Sequence, residues 1–107
     1  MKRINLDILV KVNGNNQLKS IKGYQLDFDP NLAIHRSNEF KECWTITDMP
    51  TGLSLYTRKG TRDIVVHKFR YVDDSYKNYN GFKEKSNSKY RSYIERFNEL
   101  KNTEERK

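Results

Sequence analysis

The segment WTITDMPTGLSLYTRKGTRD, residues 44–63, carries the strongest local structural signal in this 107-residue chain. Trp44 and Ile46 alternate with threonines, which is the period-2 pattern of a β-strand with one buried face. Pro50 favours the fixed φ that begins a tight turn, and Gly52 supplies the positive φ that a bulged turn needs next. Alternation resumes after Gly52, so the segment predicts a β-hairpin.

Three further strands are predicted before this hairpin. Residues 4–11 alternate between an apolar and a mostly polar side, and the Asn-Gly-Asn-Asn sequence at 13–16 favours a turn. A second strand is predicted at residues 21–28 and a short third strand at residues 32–36. Together with the hairpin, these segments predict an antiparallel meander of four to five strands.

The C-terminal half predicts helix in two places. Thr61 is a favourable N-cap, Asp63 suits the first turn of a helix, and apolar residues recur at helical spacing through residues 64–72. The β-branched run Ile64-Val65-Val66 is also typical of a strand, so helix is favoured there but a sixth strand stays open. A stripe at i, i+3, i+4, i+7 and i+10 predicts an amphipathic terminal helix with Tyr90, Tyr93, Ile94, Phe97 and Leu100 on one face.

Two C-terminal segments have the composition of loops. Residues 73–88 are polar, rich in Asn, Ser and Lys, and lack periodicity, which predicts a loop or linker. Residues 102–107 are too charged to bury, so we expect a frayed tail. A chain of residues 1–107 has the length of one domain, with one hydrophobic core. We therefore predict a single α+β domain, an antiparallel sheet of four to five strands with one or two C-terminal helices.

The composition of the chain indicates its cellular compartment and excludes some kinds of binding site. The chain has no run of about 18 apolar residues, as a membrane helix requires, and its first residues lack a signal-peptide cleavage site, so we expect a cytoplasmic protein without a membrane partner. The single cysteine, Cys43, cannot form an internal disulfide, and His35 and His67 lie too far from it in sequence for a zinc motif. We expect no metal and no cofactor.

Charge is distributed unevenly along the chain. The net charge is +7, with seven Lys and Arg against six Asp and Glu in residues 1–57, and fourteen against eight in residues 58–107. A basic C-terminal half favours an anionic partner, because association releases counterions and long-range attraction speeds encounter. Solubility alone is the other explanation of this charge.

Two features of the basic half indicate nucleic acid. Cations in residues 58–62 precede the predicted helix, where guanidinium groups and a helix N-terminus can contact a phosphate. Further along, aromatic and basic residues interleave, and such side chains can stack on unpaired bases and neutralise phosphates. The predicted contact residues are Arg58, Lys59, Arg62, Lys68, Arg70, Tyr76, Lys77, Tyr79, Phe82, Lys83, Lys85, Lys89 and Arg91. No catalytic residue is predicted.

One short motif resembles an enzyme family. Asp29 followed by Glu39-Phe40-Lys41 resembles the acid, then Glu-x-Lys, order of restriction-endonuclease-like nucleases, in which two acids hold Mg²⁺ and the lysine assists catalysis. That family places the glutamate in a core strand after a helix, whereas Glu39 lies in an apparent loop with no helix before it. A small Mg-dependent nuclease is therefore the third hypothesis for this chain.

The hairpin resembles a segment of short phage and mobile-element proteins, in which W-x-[IV]-T-x-x-x-T-G-x-x-[IL] leads into T-[RK]-x-x-[AV]. Residues 44–55 and 61–65 carry this pattern here. The resemblance implies a non-enzymatic protein that binds one target in the bacterial host cytoplasm, including the nucleic-acid complexes of defence systems such as CRISPR effectors.

The leading hypothesis is a non-enzymatic protein that engages DNA, RNA or a host nucleic-acid–protein complex through residues 58–91, for instance as an anti-CRISPR inhibitor. The alternative is a protein-interaction or assembly module that uses the apolar hairpin and terminal helix without contacting nucleic acid. The sequence leaves the oligomeric state open.

Overall fold

The computed structural model describes the backbone of residues 1–105 and the side chains of residues 1–103. Five antiparallel strands form one sheet in chain order: β1 Lys2–Val12, β2 Asn15–Leu26, β3 Asp29–Arg36, β4 Cys43–Asp48 and β5 Leu53–Lys59. The helices follow: α1 Arg62–His67, continued by a π-helical turn Lys68–Val72, then α2 Ser75–Lys85 and α3 Asn87–Glu105. The predicted α+β fold with an antiparallel sheet is confirmed.

Two turns set the pairing of the strands. Asn13 and Gly14 have φ values of 52° and 81°, so they form the two-residue turn whose twist matches the flanking strands β1 and β2. Gly52 has φ 69° in the turn between β4 and β5, as predicted. A Cβ at this position would lie 2.9 Å from Cδ1 of Phe97, so Gly52 also allows α3 to approach the turn.

The two faces of the sheet carry different chemistry. The helix-covered face buries one core together with the helices, and its members are Leu26, Leu32, Ile34, Ile46, Tyr56, Val65, Phe69 and Tyr79. On the opposite face, β1 curls over β3 and buries Leu6 and Ile8 against Ala33. The curvature brings β1 to β5, where the Leu9 amide donates to the Gly52 carbonyl at 3.2 Å. We call this curved side the concave face.

Residues 64–72 are helical, so the favoured prediction is confirmed. The Thr61 hydroxyl accepts a hydrogen bond from the Ile64 amide at 3.3 Å and caps α1. Val65 and Phe69, four residues apart, are completely buried against the sheet. Burial of this helical stripe outweighs the strand preference of the β-branched run.

The prediction of a loop over residues 73–88 is wrong, because α2 occupies Ser75–Lys85. Only one side of α2 faces the sheet, and two tyrosines three residues apart are enough to cover it. Tyr79 is buried in the core, and Tyr76 packs edge-on against Phe28 with ring centroids 4.9 Å apart. Phe82 packs edge-on against Tyr90 of α3, and the other positions of α2 apart from Gly81 are polar.

The terminal helix α3 matches its predicted stripe, with Phe97 1% exposed and the other stripe residues half-buried. Because α3 continues through Glu105, the predicted frayed tail at residues 102–107 is wrong up to that residue. Residues 106 and 107 lie outside the described part of the chain. Among the described residues, no helix is long and apolar enough to cross a membrane.

Candidate nucleic-acid interface

A row of two arginines and a tryptophan crosses one end of the helix-covered face. Arg36 on β3 pairs with Trp44 on β4, and Trp44 pairs with Arg58 on β5. Directly paired residues of an antiparallel sheet place their side chains on the same face, so the three are neighbours. The guanidinium carbon of Arg36 lies 4.4 Å from the centroid of the Trp44 ring.

Tyr24 and Arg62 extend this row. The rings of Tyr24 and Trp44 are 6.5 Å apart between centroids, and the guanidinium carbon of Arg62 lies 4.4 Å from the centroid of Tyr24. The guanidinium of Arg58 lies 4.4 Å from the centroid of Tyr56. We call the group the arginine–aromatic surface; its members are Tyr24, Arg36, Trp44, Arg58 and Arg62.

The rings hold the guanidinium groups in place. A cation over an aromatic ring at an exposed site gains about 0.5–1 kcal/mol, which restricts the rotamers of the arginine. A guanidinium that is already oriented loses less conformational entropy when it binds a second group. These arginines are therefore prepared for an anion with two oxygens that accept parallel hydrogen bonds.

Acidic side chains compete only weakly for the three arginines. Arg62 Nε lies 3.4 Å from Asp63 Oδ1, and Arg58 Nε lies 3.9 Å from Asp73 Oδ2. Exposed pairs of this kind contribute about 0–1 kcal/mol. Within the described residues, Arg36 has no carboxylate at ion-pair distance. Hydrogen-bond donors thus stay available for an external anion.

The predicted contact residues are spread over several parts of the molecule. Arg58 and Arg62 belong to the arginine–aromatic surface, and Lys59 pairs with Glu42 at 3.2 Å. Lys68 is exposed on the π-helical turn. An open groove along α2 brings together a second set, Arg70, Tyr76, Lys77, Phe82 and Lys85. Lys89 and Arg91 are exposed on α3, outside both groups.

Tyr79 lies in the core, so the prediction that it contacts a partner is wrong. Its hydroxyl donates to the buried carboxylate of Asp48, which also accepts from Tyr90 at 2.9 Å and from Thr51 at 2.6 Å. Lys83 covers the Tyr79 ring, with Nζ 4.2 Å from its centroid. This cluster anchors α2 and α3 to β4 and is structural.

Burial and the neighbouring carboxylate change the acidity of these tyrosines. Burial, followed by the hydrogen bond to Asp48, raises the pKa of Tyr79 and raises the pKa of Tyr90 to about 12. The same causes act on Tyr56, where burial and the hydrogen bond that its hydroxyl donates to Asp73 raise the pKa to about 12. All three hydroxyl groups keep their protons at neutral pH and serve as donors.

Sequence reasoning missed Tyr24, Arg36 and Trp44 as members of a site. Arg36 lies in the half of the chain with almost balanced charge, and the alternating pattern indicated that Trp44 belongs to the core. Their proximity to Arg58 follows from the register of β3, β4 and β5. The pairing of Trp44 with Arg58 could have been predicted from the sequence, if the correct register had been assigned to the predicted hairpin.

The acids that resemble a nuclease motif do not converge. Asp29 begins β3, and Glu39 follows the end of that strand, so the strand alone separates them by about 23 Å. Asp29 is buried and accepts hydrogen bonds from the Asn31 amide at 3.0 Å and the Tyr76 hydroxyl at 3.2 Å. Among the described residues, no three His, Cys, Asp or Glu side chains group as metal ligands.

Comparison with family models, with curated proteins and with solved structures finds no significant match to this chain. What the protein binds is therefore inferred from its own residues. Arg70 of the α2 groove also lies over a ring, with its guanidinium carbon 4.2 Å from the Phe28 centroid. The arginine–aromatic surface differs from the other basic groups because it brings three ring-held guanidinium groups together beside Trp44 and Tyr24.

Proposed function

We propose that this protein binds single-stranded nucleic acid through the arginine–aromatic surface and has no catalytic activity of its own. The observation that carries this proposal is the row Arg36–Trp44–Arg58, in which two ring-held guanidinium groups flank an indole. Arginine binds phosphate through two parallel N–H donors, which a lysine cannot provide. The three arginines thus act on the phosphates of the strand.

Aromatic rings beside these arginines favour an unpaired strand over a duplex. Trp44 and Tyr24 are half-buried, and each carries a guanidinium group over its ring, Arg36 over Trp44 and Arg62 over Tyr24. A base can stack on these guanidinium planes. Base–aromatic stacking tolerates any sequence, since every base has a π-face, and guanidinium planes stack on bases as well. Phosphate contacts carry no sequence information, so we expect binding with little sequence preference.

Basic residues outside the arginine–aromatic surface assist the association of the protein with nucleic acid. The groove along α2 contributes Arg70, Lys77 and Lys85, and the net charge of the chain is +7. Such a field steers a polyanion toward the protein over about 8–10 Å at physiological salt. These residues are expected to affect the association rate more than the bound geometry.

The hairpin resembles segments of phage and mobile-element proteins, and this resemblance indicates the biological context in which the protein would bind nucleic acid. In that setting the target is a nucleic acid, or a nucleic-acid–protein complex, of the bacterial host cytoplasm. An inhibitor of a defence complex such as a CRISPR effector would use the same surface on an exposed strand of guide or target.

Salt-dependent binding tests the proposal. We expect a fluorescent single-stranded oligonucleotide of about 20 nucleotides to bind at low salt. The logarithm of the binding constant should fall by about 0.7 per phosphate contact for each tenfold rise in salt concentration. Replacing all three arginines, Arg36→Gln, Arg58→Gln and Arg62→Gln, should weaken binding and reduce that slope by about 2. Fluorescence anisotropy over a salt series measures both quantities.

A charge-matched control variant is Lys89→Gln, Arg91→Gln and Arg96→Gln, since these three residues are exposed on α3 and lie outside the arginine–aromatic surface. The control should leave the salt slope close to that of the unmodified protein. An equal loss in both variants would show that net charge alone matters, and no binding at low salt would contradict the proposal. We also expect the oligonucleotide to stay intact in Mg²⁺; cleavage abolished by Glu39→Ala would favour a nuclease instead.

A protein-interaction module is the second candidate function, and one observation favours it. Ile64, Tyr71 and Val72 are exposed by 50%, 62% and 57% on the outer side of α1 and the π-helical turn. Apolar side chains grouped on a surface are common where another protein docks. Capture of a bacterial protein that persists after nuclease treatment, and is lost with Ile64→Ser and Val72→Ser, would support this candidate.

A further inference from the structure

The concave face of the sheet encloses a cavity of about 290 Å³ that the proposed function does not use. It lies beside the close approach of β1 to the turn before β5, where the Leu9 amide donates to the Gly52 carbonyl. Ile8 and Val10 of β1 form one wall. The opposite wall is polar and carries His35, Thr45, Thr47 and Thr57.

The polar wall is a hydrogen-bonded set without charge. His35 Nδ1 lies 2.8 Å from the Arg36 carbonyl, to which it donates, so Nε2 accepts from the Thr47 hydroxyl at 2.7 Å. Burial lowers the pKa of His35, which keeps the imidazole neutral at pH 7. The hydroxyl groups of Thr45 and Thr57 lie 2.8 Å apart and bond to each other.

After these internal hydrogen bonds are formed, some donors and acceptors of the threonine wall remain free to bind a ligand. One hydroxyl of the Thr45–Thr57 pair donates to the other, so the second hydroxyl keeps a proton to donate. Thr47 is 1% exposed and has used its proton on His35, whereas the half-buried Thr57 hydroxyl keeps a lone pair that can accept from a ligand. A matching ligand therefore presents N–H donors and one acceptor along an edge. It carries no net charge, because the inner wall is uncharged and the two charged residues of the lining, Lys11 and Glu39, are exposed and of opposite sign.

The apolar wall and the mouth of the cavity restrict the shape of that ligand. A molecule that fits between the aliphatic side chains of Ile8 and Val10 and the threonine wall needs apolar faces as well as a polar edge. Phe40, 57% exposed, belongs to the loop that lines the mouth. Exposed aromatic rings at such positions stack on flat heterocycles. The volume is close to the lower end of ligand pockets, roughly 300 Å³.

We propose that this cavity binds an uncharged nucleobase, presented either by a free nucleoside or by an unpaired nucleotide of a strand. A nucleobase combines flat apolar faces with an edge that carries both N–H donors and acceptors, which matches the two walls. The cavity and the arginine–aromatic surface lie on opposite faces of the sheet and meet at the loop of residues 37–42. Binding of a free nucleoside does not depend on the proposed function.

Nuclear magnetic resonance on the full chain tests this site. Adenosine, guanosine, cytidine and uridine are titrated in turn to about 5 mM, the range in which millimolar affinity becomes visible. We expect at least one nucleoside to cause saturable shifts at the methyl groups of Thr45, Thr47 and Thr57 and at the His35 ring. A parallel titration with short single-stranded oligonucleotides distinguishes a base within a strand from a free nucleoside.

Two variants and a matched control locate the effect. Thr57→Val preserves shape but removes one hydroxyl, so the affinity should fall by about two- to tenfold. Ser54→Trp, at an exposed position of the cavity wall, should abolish the shifts by filling the space, and it serves as the test if Thr57→Val does not fold. Thr103→Val removes a hydroxyl on α3 far from the cavity and should change nothing.

The outcomes separate this site from the proposed function. Saturable shifts at the threonine wall with nucleosides or oligonucleotides, lost in Ser54→Trp, support the cavity even if the arginine variants bind oligonucleotides normally. Shifts confined to Trp44 and Tyr24, or no saturable change with any of the probes, overturn the cavity. Oligonucleotide binding through the three arginines would then still stand.

Discussion

At the scale of single residues, Gly52 satisfies two structural constraints, of which the sequence shows only the first. Its positive φ is required by the turn, and its missing Cβ leaves room for the Phe97 ring. Pro50 and Gly52 together predicted the turn, because turn chemistry depends on neighbouring residues only. The contact with Phe97 joins residues 45 positions apart and follows only from the packing of α3.

Gly52→Ala should lower the free energy of unfolding by about 1–3 kcal/mol, since the new methyl group adds strain at positive φ and displaces the ring. Urea denaturation followed by tryptophan fluorescence measures the change. Gly81→Ala is the matched control, because nothing lies within 4 Å of a Cβ there and the residue is inside α2. That change should stabilise by about 0.5–1 kcal/mol; equal effects of both substitutions would contradict this account.

The buried tyrosine hydroxyls also make stability depend on alkaline pH. Tyr90 has its pKa raised to about 12 by burial and by Asp48, whereas an unfolded tyrosine titrates near its ordinary pKa of 10.0. The folded state therefore holds more protons than the unfolded state between these values, so this contribution to stability is complete below pH 10 and is lost as pH rises toward 12. Tyr79 and Tyr56, whose pKa values are also raised, act in the same direction.

We expect the free energy of unfolding to fall from about pH 10 upward, with a smaller slope in Tyr90→Phe because one of the shifted groups is gone. Urea titrations at pH 8 to 12 measure the slope. Tyr71→Phe is the control, since Tyr71 is exposed. A slope that Tyr90→Phe leaves unchanged would show that Tyr90 titrates normally in the folded protein.

At the scale of elements, the strands and the terminal helix were predictable, whereas α2 was not. Alternation along a strand and the stripe of α3 are local patterns, and they appear in the sequence because one full face of each element is buried. In α2 only Tyr76, Tyr79 and Phe82 are large apolar residues, so its pattern is too short to distinguish it from a loop. The hydroxyl contacts of these tyrosines with Asp29 and Asp48 hold α2 in place.

Tyr79→Ala should therefore release α2 from the sheet without unfolding the strands. Amide hydrogen exchange in residues 75–85 should become at least about tenfold faster, because loss of the ring and its hydrogen bond lowers the local opening free energy by more than 1.4 kcal/mol. Exchange of the β3 and β4 amides should stay slow. Lys77→Ala, at an exposed position of α2, is the control; uniform acceleration across the chain would mean that α2 and the sheet unfold together.

At the scale of the whole molecule, each face of the sheet carries one of the two proposed binding surfaces. The helices cover most of one face and leave the row of Arg36, Trp44 and Arg58 at its end. The other face curls on itself, because β1 reaches β5, and encloses the threonine-lined cavity. Charge asymmetry along the chain indicated an anionic partner but placed the contact residues only in the C-terminal half, whereas the arginine–aromatic surface draws members from both halves.

The sequence by itself determined the fold class, the hairpin with its Pro-Thr-Gly turn and the apolar stripe of α3, because these depend on residues close together along the chain. It favoured the helix after Thr61, which burial against the sheet then decided. Tertiary structure decided which side chains meet. Strand register places Arg36 and Arg58 on either side of Trp44, and the bend of β1 toward β5 brings Ile8 and Thr57 to the lining of one cavity. Such contacts join positions far apart in sequence, and only the packing of the complete sheet brings them within a few ångströms.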